Sequence, residues 1–162
     1  MSHLVVVDLQ RVFAAGPWGA PRFASILDPV ARLVAEHEPH VTFTRFVAPA
    51  TPTGAWVEYY EQWPFALAPP DDPQYELVEP YTDRPALVAT TFGKWGPTLA
   101  VHREIVVCGV ATDCCVVSTV LAAADAGVKV RVVADACAGS SDAAHEQALA
   151  IMASYAPLVS VE

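Results

Sequence analysis

At 162 residues the chain has the common size of a single domain and is long enough to enclose one sizeable core, so it predicts one domain over 1–162. Hydrophobic residues make up 54% and charged residues 17%, rich for a monomer, and this predicts an apolar contact between copies, a homo-oligomer of two or more. The net charge of −9 repels phosphate backbones and anionic lipid, and no apolar run spans a bilayer; with no basic segment ahead of the first strand, the sequence predicts a cytoplasmic protein with no nucleic-acid and no membrane partner.

In chain order, Leu4-Val5-Val6-Val7 is an unbroken apolar run ending at Asp8, the pattern of a central parallel strand buried on both faces. Ligands of open parallel sheets bind beyond the carboxyl ends of the strands, which puts Asp8 where chemistry occurs; a turn or capping role is the plainer alternative. Gln10, Phe13 and the Gly16-Pro17-Trp18-Gly19 loop follow, suited to line the crevice mouth or simply to shape a turn. Ile26, Val30, Leu33 and Val34 predict a helix over 26–36, with Pro29 in its first turn. Residues 41–46 alternate as a second strand. The proline-rich stretch 47–84 carries Trp56, Tyr59, Tyr60, Trp63, Phe65, Tyr75 and Tyr81, too aromatic for a disordered linker. It predicts an ordered excursion, with a short helix at 56–62, that covers the site or packs on another subunit.

Residues 86–89 read as a third strand, leading into Phe92-Gly93-Lys94-Trp95-Gly96, a loop that presents Lys94 and Trp95. A lone loop lysine is ordinarily a solvated charge, but Lys94, like Asp8, follows a strand. Residues 105–108 are the fourth strand, and Asp113 to Ala126 predicts a helix closed by Gly127. Cys114 and Cys115 fall at its start, where unpaired backbone N–H groups favour a thiolate; the competing reading is small apolar filler. A fifth strand over 128–133, with Asp135 after it, a helix over 143–153 opened by Ser140-Ser141-Asp142, and a sixth strand over 158–161 complete the chain. Strands alternating with helices predict a three-layer Rossmann-like α/β fold, a six-stranded, mainly parallel sheet flanked by helices.

An acid, an amine and a thiol thus stand at three strand ends. Val7-Asp8-Leu9-Gln10 with Phe13, Phe92-Gly93-Lys94, the run Cys108-Gly109-Val110-Ala111-Thr112-Asp113-Cys114-Cys115-Val116, and Asp135-Ala136 resemble the isochorismatase-like cysteine hydrolase superfamily, relatives of nicotinamidases and N-carbamoylsarcosine amidohydrolase. The resemblance implies a catalytic triad: Cys115 as nucleophile, Asp8 as the base that takes its proton, and Lys94 as the cation holding the two in register. It also implies a cis peptide at Val110-Ala111 and an oxyanion hole from the backbone N–H groups of Ala111 and Cys115. The activity it implies is hydrolysis of a small-molecule amide, ureido or related C–N bond through an acyl-enzyme. Vinyl ether hydrolysis of the isochorismatase type, a metabolite- or protein-binding member without activity, and a redox thiol protein are the alternatives.

Nicotinamidases carry an acidic residue and histidines as a metal site after the second strand. This chain reads Thr44-Arg45-Phe46-Val47-Ala48-Pro49 there, and its histidines lack ligand spacing, so the expectation is no metal and no cofactor. Gln10, Phe13, Arg45, Trp56 and Trp95, with Trp18, are the candidate substrate contacts, each equally suited to fold or interface.

Overall fold

The computed structural model describes residues 1–162. Six strands, β1 (His3–Val7), β2 (Val41–Phe46), β3 (Ala86–Ala89), β4 (Glu104–Val110), β5 (Lys129–Ala138) and β6 (Val159–Val161), form one sheet in the order β3-β2-β1-β4-β5-β6. All five pairings are parallel. The helices are α1 (Phe23–His37), α2 (Trp56–Gln62), α3 (Val117–Asp125) and α4 (Asp142–Ala153). Right-handed crossovers run outward from the centre in both directions, which sets α1 on one face and α3 with α4 on the other. The chain reverses direction of travel between β1 and β4, and the crevice at that switch point is where such sheets bind ligands.

Leu4 to Val7 and Ile105 to Cys108 are wholly buried, as strands covered on both faces must be. Register places Val7 beside Gly109. A Cβ at Gly109 would lie 2.1 Å from the Val7 carbonyl oxygen, and its φ of +118° also requires glycine. That close approach draws the ends of β1 and β4 together.

α1 begins three residues earlier than the sequence predicts. Phe23, Ile26, Val30, Val34 and His37 make one buried face, so Phe23 extends the helical stripe, and Arg22 just ahead of it forks onto Asp142 at 2.6 and 2.8 Å. Pro29 therefore lies in the second turn, not the first. The carbonyl its missing N–H leaves unpaired belongs to Ser25, on the solvent side, which limits the cost. β5 runs on to Ala138, longer than expected, so Asp135 is an exposed strand residue and not a strand end. Gly127 closes α3 at φ +82°.

The 47–84 excursion packs on its own chain. Tyr75 is fully buried with its hydroxyl on the Ala66 carbonyl, and Leu77 bridges to Gln10. α2 is held over the carboxyl ends of the strands by aromatic contacts: Trp56 and Tyr59 meet Phe92 at 5.1 and 5.7 Å, and Tyr59 meets Trp18 at 6.0 Å. No helix is long and apolar enough to cross a membrane.

Candidate active site

Asp8 follows β1 in the left-handed region, φ +48°, a conformation costly for most L-residues and tolerated best by Asp and Asn. Its N–H donates to the Thr44 hydroxyl at 3.1 Å, and that hydroxyl donates to Asp8 Oδ1 at 2.6 Å. Thr44, at the centre of β2 and fully buried, thus fixes both backbone and carboxylate. Lys94 Nζ stands 2.8 Å from Asp8 Oδ2, with both side chains wholly out of solvent. The ammonium also donates to the carbonyls of Thr91 and Phe92, each at 2.8 Å. Apart from the ion pair, Oδ2 has no hydrogen-bond partner, which leaves it free to accept a proton. The solvated-lysine reading of Lys94 does not describe this side chain.

Cys115 lies in a π-type turn, Thr112–Val116, that precedes α3. Both the Cys114 and Val116 N–H groups donate to the Ala111 carbonyl, at 3.0 and 3.1 Å, and the Val110-Ala111 peptide is cis. The Ala111 N–H donates to no group of the protein. Where the sequence predicts an α-helix from Asp113, the wider turn sets Cys115 inward at 2% exposure. Thr119 joins the pieces: its hydroxyl accepts the Lys94 N–H at 2.9 Å and donates to the Cys115 carbonyl at 2.7 Å.

The electrostatics correct the expectation of a resting thiolate. The hydrogen bond with Cys114, burial and the negative charge of Asp8 push the Cys115 thiol well above its ordinary value, and the Lys94 ammonium only partly opposes them. The same interaction lowers Cys114. Cys115 is therefore a thiol at rest, under the influence of the Asp8 carboxylate. A buried thiol facing a carboxylate gains less from the end of a helix than the sequence position alone suggests.

Cys115 forms one end of a cavity of about 370 Å³. Phe13, Trp18, Phe46, Tyr59, Trp63 and Phe92 supply its apolar walls, and Ala111, Asp113, Cys114 and Ser140 its polar end. Asp8 and Lys94 do not line it; they stand behind Cys115. Of the candidate substrate contacts, Phe13 and Trp18 reach this cavity and four others do not. The Gln10 amide is consumed by the backbone of Phe46 (2.7 and 2.8 Å) and the Tyr75 carbonyl (2.9 Å), because a buried amide must satisfy every polar atom. Arg45 donates to the carbonyls of Tyr75 and Pro70, at 2.8 and 3.0 Å, and so ties the excursion down. Trp56 packs behind Tyr59 and Phe92, and Trp95 lines a separate, smaller recess outside Lys94. Tyr59, Trp63, Phe46, Phe92, Asp113 and Ser140 line the cavity without being among the contacts the sequence suggests. Tyr59 on α2 and Trp63 at its C-cap, whose N–H donates to the Tyr59 carbonyl, stand at i, i+4, a spacing available in the sequence.

The end of β2 and the residues just after it offer no metal donors. The Thr44 hydroxyl serves Asp8, the Arg45 guanidinium serves two carbonyls, and Phe46, Val47 and Ala48 are buried and apolar. Nowhere do three His, Cys, Asp or Glu side chains converge as a metal-holding group, so the residues present do not fit a nicotinamidase-type ion.

A parallel α/β domain thus carries a carboxylate, an ammonium and a thiol near its topological switch point, beside a cavity. The sequence model of the isochorismatase domain matches residues 2–162, and the chain belongs to this family of hydrolases. Among solved structures it resembles the pyrazinamidase of Pyrococcus horikoshii in complex with zinc, at 24% identity over 99% of this chain and 98% of that one, TM-score 0.79. A cysteine hydrolase from Pseudomonas syringae pv. phaseolicola matches at 22% identity, 99% and 87% coverage and TM-score 0.82. A nicotinamidase from Bacillus subtilis matches at 19%, 99% and 98%, and 0.76. These likenesses concern the fold. A comparison with curated protein sequences finds no match.

Proposed function

We propose that the chain is a cysteine-dependent hydrolase that cleaves an amide, ureido or related C–N bond of a small molecule through a covalent acyl-enzyme. The observation that carries this reading is the solvent-free Asp8–Lys94 pair behind Cys115, whose charges both act on the thiol. A buried ion pair is costly to keep and is a weak route to stability, so its place beside the thiol at the cavity end favours a chemical role.

In the proposed sequence a substrate carbonyl enters the polar end of the cavity. The Cys115 thiol proton passes to the open Oδ2 of Asp8 as Sγ forms a bond to the carbonyl carbon, and the oxygen takes the negative charge against the free Ala111 N–H and the Cys115 N–H. As the carbonyl re-forms, the C–N bond breaks and the amine departs with the proton held by Asp8. Water then gives a proton to Asp8 and its hydroxide adds to the thioester carbon. Collapse releases the carboxylic product and returns the proton from Asp8 to Cys115. Lys94 stays charged throughout and opposes the negative charge that moves between Asp8, sulfur and oxyanion. The vinyl ether alternative needs a proton donor and no thiol, and the cavity-facing Cys115 favours acyl transfer over it.

A panel of amides, ureido compounds and vinyl ethers scored for release of amine or ammonia tests the reading. Turnover of at least one C–N substrate by the wild type, lost in Cys115→Ala and largely kept in Cys114→Ala, is the expected result. Undiminished turnover in Cys115→Ala would refute it.

A further inference from the structure

The cavity walls select on charge. Phe13, Trp18, Phe46, Tyr59, Trp63 and Phe92 line the cavity with aromatic rings, and no Lys, Arg or His lines it. Arg45, the basic side chain next to Phe46, is turned away onto the carbonyls of Tyr75 and Pro70, and Lys94 is committed to Asp8. An anionic group lodged among these rings, away from the Ala111 and Cys115 N–H groups that face the reacting oxygen, would therefore lose its hydration without meeting a counter-charge.

The one ionisable side chain of fixed sign on the lining is Asp113, and its sign is negative. Its carboxylate accepts the Ser140 N–H at 2.8 Å and the Ser140 hydroxyl at 2.6 Å, which hold it in place at the cavity's polar end. None of the chain's ion pairs includes it. A fixed, uncompensated carboxylate facing a chamber of electron-rich rings is the chemistry that recognises organic cations, the rings through their quadrupoles and the carboxylate through its charge. The whole-molecule charge of −9 adds a field of the same sign.

Building on the reading above, in which this cavity receives the substrate, we propose that the site takes an organic cation: an amide or related C–N compound whose retained part carries an ammonium, quaternary ammonium or pyridinium group, with Asp113 and the aromatic walls as its specificity determinants. Carboxylate-bearing compounds, among them ureido acids and isochorismate, are poor ligands on the same grounds.

The test measures binding, so that it stands apart from the catalytic assignment. Cys115→Ser protein is titrated calorimetrically with benzamide, 3-(trimethylammonio)benzamide and 3-carboxybenzamide. The cation should bind about tenfold more tightly than the neutral amide, and the carboxylate most weakly. Asp113→Asn in the same background should narrow the ratio of cation to neutral affinity. Because that change also touches the Ser140 contacts, the ratio is measured at low and high salt in the unaltered Asp113 protein as well, where salt should reduce it. A cation that binds no better than benzamide, a carboxylate that binds as well as the cation, a ratio indifferent to salt, or no binding by any of the three overturns the proposal. If instead the binding order holds while wild-type protein turns over no C–N compound of the substrate panel above, the catalytic reading fails and the specificity stands.

Discussion

Lys94→Met removes the cation from a pair that no solvent reaches and leaves the Asp8 carboxylate with only the Thr44 hydroxyl and its own protein surroundings. At 2.8 Å the gross attraction is about 6 kcal/mol for an effective dielectric constant of about 20, most of it offset in the intact protein by the desolvation of both groups. Removing one partner keeps the desolvation of the other and loses the attraction, a net loss of about 3 to 5 kcal/mol. That is a large share of the roughly 5 to 15 kcal/mol by which domains of this size are stable, so unfolding in urea is measured at low temperature. The double variant Asp8→Asn/Lys94→Met carries neither charge and should recover at least about 2 kcal/mol of the loss, because the uncompensated carboxylate is gone. Both proteins should be inactive, and the double variant is then the more stable of two dead enzymes. A cost under about 1 kcal/mol for the single change, the range of a solvated pair, would refute the reasoning, as would a double variant no more stable than the single.

Thr119→Val keeps the shape of a fully buried side chain but leaves the Lys94 N–H and the Cys115 carbonyl without their shared hydroxyl. It should cost about 1 to 3 kcal/mol in urea unfolding and lower kcat about 10- to 100-fold with little change in KM, and Thr119→Ser should restore both. Cys114→Ala removes the neighbour that raises the Cys115 thiol, so the pH–rate profile on any substrate found should move to lower pH; an unmoved profile would contradict Cys114 as the cause of that rise. At the opposite end of the sheet, His3 is lowered to about 4 by burial first and then by His102, His40 and His37. Its folded value lies below the unfolded 6.5, so the unfolded chain takes up the proton first and stability falls as pH drops from about 6.5 toward 4. His3→Gln should flatten the acid limb of a plot of Tm against pH over that interval, and an unchanged limb would place the acid sensitivity elsewhere.

The sheet was legible because its signal is local. Runs such as Leu4 to Val7 and Ile105 to Cys108 read as strands buried on both faces and proved so. Alternation of strands with helices then leaves few topologies once crossovers are right-handed. The meeting of Asp8, Lys94 and Cys115 came from the motif resemblance, and the sequence held no local sign of how they touch. Thr44 and Thr119, the hydroxyls that hold them, look in sequence like ordinary strand and helix residues; only the register of β2 beside β1 and the closeness of the Lys94 loop to α3 give them partners.

The substrate wall was harder to read for a different reason. Aromatic side chains packed on one another fill a core and line a cavity with the same residue types, and which ring faces space depends on the whole excursion. Trp56 and Tyr59, three apart on α2, fall on opposite sides of that division, as do Arg45 and Phe46 at the end of β2. Gln10 follows Asp8 closely enough in sequence to suggest the crevice mouth, yet a buried amide with three backbone partners has nothing left to offer a ligand. The π-type turn at Thr112–Val116 has no distinct sequence signature, and it is that turn which separates inward Cys115 from half-buried Cys114.

The central claim is a covalent bond between substrate and Cys115. Once a substrate is found, turnover quenched in acid within a few catalytic cycles, followed by proteolysis and fragmentation mass spectrometry, reads it directly. The account predicts an acyl mass on Cys115 within the tryptic peptide spanning 104–129, with Cys108 and Cys114 unmodified, and its disappearance when hydroxylamine is present to carry the acyl group off as a hydroxamate. Steady turnover with no acyl mass on Cys115, or with the mass on Cys114, would contradict it.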